Sequence, residues 1–139
     1  MGFRKRTCGC APRSTSAPKA GLAADVQPGA AVAELRELVE ALHERGIEVV
    51  LDVVLNHTAE RDGRPGDPVF SFGGIDPAGY YLVDRERRCF RDVTGCGNTV
   101  ACNRPAMVEL IVDALRWWVV EVGVDGEVGR LVGGVCLQL

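Results

Sequence analysis

Nine residues, Ile47 to Leu55, constrain the fold more than any other stretch of this chain. Val49, Leu51 and Val53 alternate on one face and Val50 and Val54 on the other, the pattern of a parallel strand covered by helices on both sides. Asp52 interrupts that run. An ionised carboxylate inside a sheet is costly unless it is paired or hydrogen-bonded, so Asp52 calls for a partner or a function. Asn56, His57 and Thr58 follow at once and fall at the carboxyl end of the strand.

The strand is preceded by a predicted helix over Ala30 to Arg45. Val32, Leu35, Leu38, Val39 and Leu42 recur at helical spacing, Glu34, Arg36, Glu37 and Glu40 take the other side, and Gly46 is a carboxyl-terminal stop. A second helix is predicted from Pro105 to Val122, with Met107, Ile111, Ala114, Leu115, Trp118 and Val122 as its apolar stripe. Pro105 suits its first turn and Asn103 its cap. Between them, Thr58 to Asn103 is a long connection rich in Gly, Pro and Asp, and segments of that length are usually functional or disordered. Val122 to Leu139 offers only a frayed second strand, so the first one lacks neighbours on both edges.

Five segments together carry a resemblance. They are Asp52-Val53-Val54-Leu55-Asn56-His57-Thr58-Ala59-Glu60, preceded by Leu38, Leu42-His43 and Gly46-Ile47-Glu48-Val49; Ser71-Phe72 with Gly74-Ile75-Asp76; Tyr80-Tyr81-Leu82; Thr94-Gly95-Cys96-Gly97-Asn98-Thr99; and Ile111-Val112-Asp113-Ala114-Leu115-Arg116 with Trp118-Val119, Glu121 and Val124-Asp125-Gly126. In order and spacing this set resembles the α-amylase superfamily of glycoside hydrolases, and within it the isoamylase and glycogen-debranching branch. The resemblance implies an α/β fold: part of a (β/α)8 barrel, about two αβ units with a long loop over the active-site face, which in such barrels lies at the carboxyl ends of the strands. It implies that His57 donates a hydrogen bond to the glucose unit at the cleavage point, and that Asp52 and Asn56 organise the site. In many amylases the position of Asn56 also helps to hold calcium through its amide oxygen, but one oxygen does not make a calcium site, and no cofactor is expected.

The catalytic groups do not follow. After Val124-Asp125-Gly126 the family continues Phe-Arg-Phe-Asp-Leu-Ala, whereas this chain reads Glu127-Val128-Gly129-Arg130-Leu131-Val132. Val128 stands where the arginine belongs and Arg130 where the nucleophilic aspartate belongs. A permanently cationic arginine cannot form a glycosyl ester. The family's general acid and third carboxylate lie on later strands, so no catalytic residue is assigned. A barrel needs about 250 residues, and the 139 present hold a fraction of one. Three regions are therefore expected: 1–29 as a leader, 30–126 as a portion of the catalytic barrel, and 127–139 as a tail without family character, consistent with a premature end or unspliced sequence after Gly126.

The leader, with Arg4, Lys5, Arg6, Arg13 and Lys19 and no acid before Asp25, reads as disordered, as an organelle transit peptide or as misread upstream sequence. A plastid location follows if it is a transit peptide, and a cytoplasmic one otherwise. With 16 basic against 19 acidic side chains and a net charge of -3, nothing argues for nucleic acid or an anionic membrane as partner, and no apolar run approaches the roughly 20 residues of a spanning helix. Aromatic residues make up only 6%, which leaves Tyr80, Tyr81, Trp117 and Trp118 as candidate sugar platforms. His43, late in its helix, favours the helix dipole when protonated and receives no function. None of the six cysteines has zinc-finger spacing; Cys96 and Cys102 are expected as reduced loop thiols, or as a redox pair if they meet.

Two function classes remain. One is part of a retaining debranching hydrolase that acts on α-1,6 branch links of starch or glycogen and is inactive as this chain. The other is a non-catalytic homologue that binds glucan or a full-length partner. Branched α-glucan is the expected ligand in both.

Overall fold

The computed structural model describes residues 17–130. The basic stretch up to Ser16, with Cys8 and Cys10, and the tail from Leu131, with Cys136, lie outside the described residues. Helix α1 spans Ala30–His43, strand β1 Val50–Val54, the four-residue helix α2 Pro77–Tyr80, strand β2 Val83–Asp84, β3 Cys89–Phe90, α3 Pro105–Trp117 and β4 Gly126–Arg130. A π-helical segment, Trp118–Val122, extends α3. The described residues divide into two compact units, one built on Val54–Glu109 and the other on residues 17–53 together with Leu110–Gly129.

In the second unit α1 leads into β1, which pairs with β4 in a two-stranded sheet. The core is Val39 from α1, Trp118 and Val122 from the π-helical segment, and Val124, with Leu35, Val49, Leu51 and Trp117 packed against it. The predicted α1 stripe holds at Val39, but Leu38 is exposed. The end of α1 follows from Gly46, whose φ of 70° lies where a side chain is strained. Its amide donates to the His43 carbonyl at 2.8 Å, and the Ile47 amide donates to that of Leu42 at 3.1 Å, which closes the helix in a Schellman arrangement. Before α1, the Ala24 and Asp25 amides donate to the two carboxylate oxygens of Glu34 at 2.8 and 2.9 Å. That region, expected as leader, also holds a 3-10 turn at Ala20–Leu22.

Strand β1 corrects the opening expectation. It begins at Val50 rather than Ile47 and is not buried on both faces: Val50 is 55% exposed and Asp52 lies on the solvent side. Leu51, Val53 and Val54 are half-buried, so one side of the strand is covered while Val50 and Asp52 face solvent, and Asp52 carries no cost of burial.

The stripe of α3 is as predicted, with Met107, Ile111, Ala114 and Leu115 buried and continued by Trp118 and Val122. Its start differs from expectation, because the Arg104 carbonyl accepts from the Met107 and Val108 amides at 3.0 and 2.9 Å in the capping place expected of Asn103. In the first unit the long connection is ordered. It holds a 3-10 turn at Phe72–Gly74, α2 capped by the Asp76 carboxylate on the Gly79 amide, and an antiparallel β2–β3 hairpin.

Candidate functional site

The residue that follows β1, Leu55, is buried, and the chain then turns through Asn56, His57 and Thr58. The turn is pinned from two directions. The Asn56 carbonyl accepts from the Val100 amide at 3.0 Å, and Val100 in turn bridges Tyr81. The Asn98 side chain, fully buried, accepts from the Thr58 amide at 3.0 Å and donates to the Thr58 and Glu60 carbonyls at 3.1 and 2.7 Å. One amide group thus replaces the sheet partners that residues 58–60 lack, and the Gly95-Cys96-Gly97-Asn98 sequence places it, with Gly97 at φ 106°.

Within this frame His57 is 5% exposed. Its Nδ1 lies 2.7 Å from Asn56 Oδ1, so the amide oxygen accepts and Nδ1 carries the proton. The other nitrogen, Nε2, is buried and has no hydrogen-bond partner among the described residues. Burial lowers the imidazole's pKa from its ordinary 6.5, against an opposing pull from the negative charge of Asp92. His57 is therefore a neutral ring held by one edge, with a bare lone pair on the other. Buried polar atoms are nearly always paired, so an orphaned imidazole nitrogen marks a place for a hydroxyl or a water.

Behind it lies a buried polar network. The Tyr81 hydroxyl and Thr58 Oγ1 are 2.8 Å apart. Tyr81 is 0% exposed and its phenol is pushed up to about 12, mainly by burial. Its ring stacks on Phe90 with centroids 4.3 Å apart. Glu60, also buried, takes the Phe70, Ser71 and Gly73 amides on Oε1 at 3.3, 2.7 and 3.1 Å. Three N–H donors hold the charge that water would otherwise solvate.

Of the three residues singled out from sequence, Asn56 and His57 meet directly, while Asp52 is exposed on the second unit. Two platform candidates are corrected: Tyr81 and Trp118 are buried, so neither face is free for a sugar. Trp117 packs edge-on to Trp118, and Tyr80 stacks on Phe72 at 4.7 Å. His43, which received no function from the sequence, has its Nε2 2.7 Å from Asp125 Oδ2, the same oxygen that accepts from the Val49 amide at 2.7 Å. Cys89 and Cys102 are free thiols, and burial raises the Cys102 thiol.

Glu60 and Asn98 were visible in the sequence only as letters of quoted motifs. A glutamate five residues beyond a strand and an asparagine after Gly-x-Gly do not announce that they bind backbone. Glu127 was likewise unforeseen: both of its carboxylate oxygens are buried without a hydrogen-bond partner among the described residues, and burial raises its pKa. For a cation, Asn56 Oδ1 is already taken by His57, and among the described residues no three His, Cys, Asp or Glu side chains gather to hold an ion.

No family model matches the chain. The glycogen operon protein GlgX homolog of Mycobacterium tuberculosis (strain ATCC 25618 / H37Rv) is 49% identical over 111 residues, 79% of this chain and 15% of that protein. Isoamylase 1, chloroplastic, of Arabidopsis thaliana is 49% identical over 98 residues, 70% of this chain and 12% of that protein. Among solved structures, a pullulanase from Paenibacillus barengoltzii in complex with maltohexaose and α-cyclodextrin superposes with a TM-score of 0.75 at 33% identity, covering 86% of this chain and 18% of that one. The chain thus spans less than a sixth of the length of the curated relatives it matches. Together with the ordered motifs, these likenesses show that the chain belongs to the isoamylase and glycogen-debranching branch of the α-amylase superfamily.

Proposed function

We propose that this chain is a portion of a (β/α)8 barrel, about two αβ units with a loop over the active-site face, and that it binds branched α-glucan without hydrolysing it. His57 Nε2 carries this reading. It is a buried, unpaired nitrogen fixed in direction by Asn56, and its lone pair is suited to accept from a sugar hydroxyl rather than to donate as the resemblance implied. The relatives support the ligand class, being named for glycogen debranching and isoamylase activity, and the pullulanase structure holds a maltooligosaccharide.

In the family a retaining hydrolase splits the α-1,6 link with one carboxylate as nucleophile and another as general acid. This chain has Val128 and Arg130 at the positions of the arginine and the nucleophile, and His57 alone cannot replace an acid and a nucleophile together. His57 and Asn56 therefore act here as positioning groups for sugar, with Asp52 a structural member of the strand before them. Regions 1–29, 30–126 and 127–139 are read as leader, barrel portion and non-family tail. The plant relatives are named as chloroplastic, which supports a plastid location if the leader is a transit peptide, with the cytoplasm as the other assignment.

The test is calorimetric titration of the purified chain with maltohexaose, alongside a reducing-sugar assay on amylopectin and pullulan. Saturable binding that weakens at least tenfold in His57→Ala, with no release of reducing ends, is the expected result. Absence of saturable binding, or turnover abolished by His57→Ala, would overturn the reading.

A further inference from the structure

We propose that Asn98 is a positioning residue for His57: with the Val100 amide it grips the chain on both sides of the histidine and so sets where Nε2 points. The inference deepens the reading of the His57 site given above and rests on it.

Strand β1 ends at Val54, and the backbone from Leu55 to Glu60 belongs to no helix or strand. The bonds that hold this turn from a distance come from one segment. Just before His57, the Asn56 carbonyl accepts from the Val100 amide at 3.0 Å. Just after it, Asn98 Oδ1 accepts from the Thr58 amide at 3.0 Å, and Asn98 Nδ2 donates to the Thr58 and Glu60 carbonyls at 3.1 and 2.7 Å. An asparagine amide has two hydrogens to donate and an oxygen to accept, so the side chain is used in full; an aspartate there would lack both donors. The His57 ring itself is oriented only by Asn56 Oδ1, at 2.7 Å. A shift of the backbone at Thr58 therefore carries the ring with it.

The grip is fixed independently of the turn it holds. Asn98 is 0% exposed, and its carbonyl accepts from Thr94 Oγ1 at 2.9 Å. Thr99 Oγ1 accepts from the Val93 amide at 3.0 Å, and Asp92 Oδ1 from the Gly95 amide at 2.7 Å. The Leu82 amide donates to the Thr99 carbonyl and the Ala101 amide to the Tyr80 carbonyl, both at 2.9 Å, which ties the segment to the fully buried Tyr81. Gly97, at φ 106°, runs close to the turn: a Cβ there would lie 3.7 Å from the Glu60 carbonyl oxygen. His57 and Asn98 belong to the same compact unit. A buried, many-times-bonded segment that holds an irregular turn at the residues flanking one side chain is the support a preorganised contact requires.

The experiment follows the His57 ring nitrogens by NMR in the parent chain, Asn98→Ala and Thr94→Val, and titrates maltohexaose into these proteins, His57→Ala and the His57→Ala/Asn98→Ala double variant. The parent ring should hold its proton on Nδ1. Asn98→Ala should give a mixture of the two tautomers and weaken maltohexaose binding at least fivefold, yet change it less than twofold in the His57→Ala background, because its effect passes through the histidine. Thr94→Val keeps the Asn98 amide and removes the hydroxyl that bonds its carbonyl, so the ring should shift in the same direction by less. A folded Asn98→Ala chain with a lowered melting temperature but an unchanged ring spectrum and affinity overturns the proposal, since Asn98 is then structural only. An equal loss of affinity in both backgrounds also overturns it. If Asn98→Ala does not fold, Thr94→Val decides, and an unmoved ring overturns the proposal. If His57→Ala binds maltohexaose as tightly as the parent, the glucan reading fails, while the ring spectrum of Asn98→Ala still upholds or overturns the positioning role.

Discussion

Glu60 shows how a single side chain can shape a loop through its backbone amides. Its three amide donors hold it so firmly that it cannot give way to a neighbour, and a Cβ on Gly73 would collide with its Oε2. Gly73→Ala should therefore cost about 1–3 kcal/mol, the usual range for overpacking, measured by urea denaturation. Asn98→Ala strips the Thr58 amide and two carbonyls of their partner at a fully buried position and should cost roughly 3 kcal/mol by the same measure. His57 gives a pH signature. Its folded pKa lies below the ordinary 6.5, so folding excludes a proton that the unfolded chain would bind. Stability from neutral His57 is complete above pH 6.5 and declines as the pH falls toward the folded value. His57→Gln should flatten that part of the stability profile. At this scale the family resemblance singled out His57, which the residue pattern alone would leave as a loop histidine. It could not show that Asn56 fixes the ring's tautomer, because that depends on a side-chain rotamer rather than a spacing.

At the scale of elements, helices were more legible than strands. The α3 stripe follows from Met107 to Val122 because a helix carries its own periodicity, whereas β1 depends on what lies beside it. Val50 and Val54 look buried in the sequence, yet the alternation of a strand says nothing about whether a second layer exists to cover it. The link between α1 and β4 was not legible at all, because it joins residues 82 apart in the chain: His43 and Asp125, with Asp125 also holding the Val49 amide. Arg36 reinforces it by pairing with the Glu121 carboxylate at 3.0 Å and bonding the Glu121 carbonyl. The Val49 amide and then His43 hold the Asp125 carboxyl below its ordinary 3.8. A depressed carboxyl contributes stability that is present above 3.8 and is lost as the pH falls through its folded value. Thermal melts from pH 5 to pH 2 should show that loss, and Asp125→Asn should remove its share of the slope. Identical slopes in the two proteins would mean that the link does not hold the unit together.

For the whole molecule, exposed apolar side chains set the expected behaviour. Ile47, Val50, Val119, Val120 and Val128 all face water in the second unit. Each would contribute about 1.5–3 kcal/mol if fully covered, against roughly 1–2 kcal/mol of backbone entropy per ordered residue. Low solubility and a broad thermal transition with a helical spectrum are expected. A sharp calorimetric peak of the size expected for a 139-residue domain would contradict this. The sequence leads to the same expectation from the apolar run Ile47 to Leu55, although β4 does pair with β1, and its motif order pointed to the family. The ordered interior of 58–103 escaped it, because hydrogen bonds from Glu60, Asp76 and Asn98 take the place of regular periodicity there. On the proposed function, His57 offers Nε2 to a sugar while the chain performs no hydrolysis. The most direct measurement is the imidazole nitrogen spectrum of His57 during titration with maltotriose. The account predicts a saturable shift of Nε2, with Nδ1 remaining protonated toward Asn56; an Nε2 resonance that stays fixed at saturating sugar would contradict it.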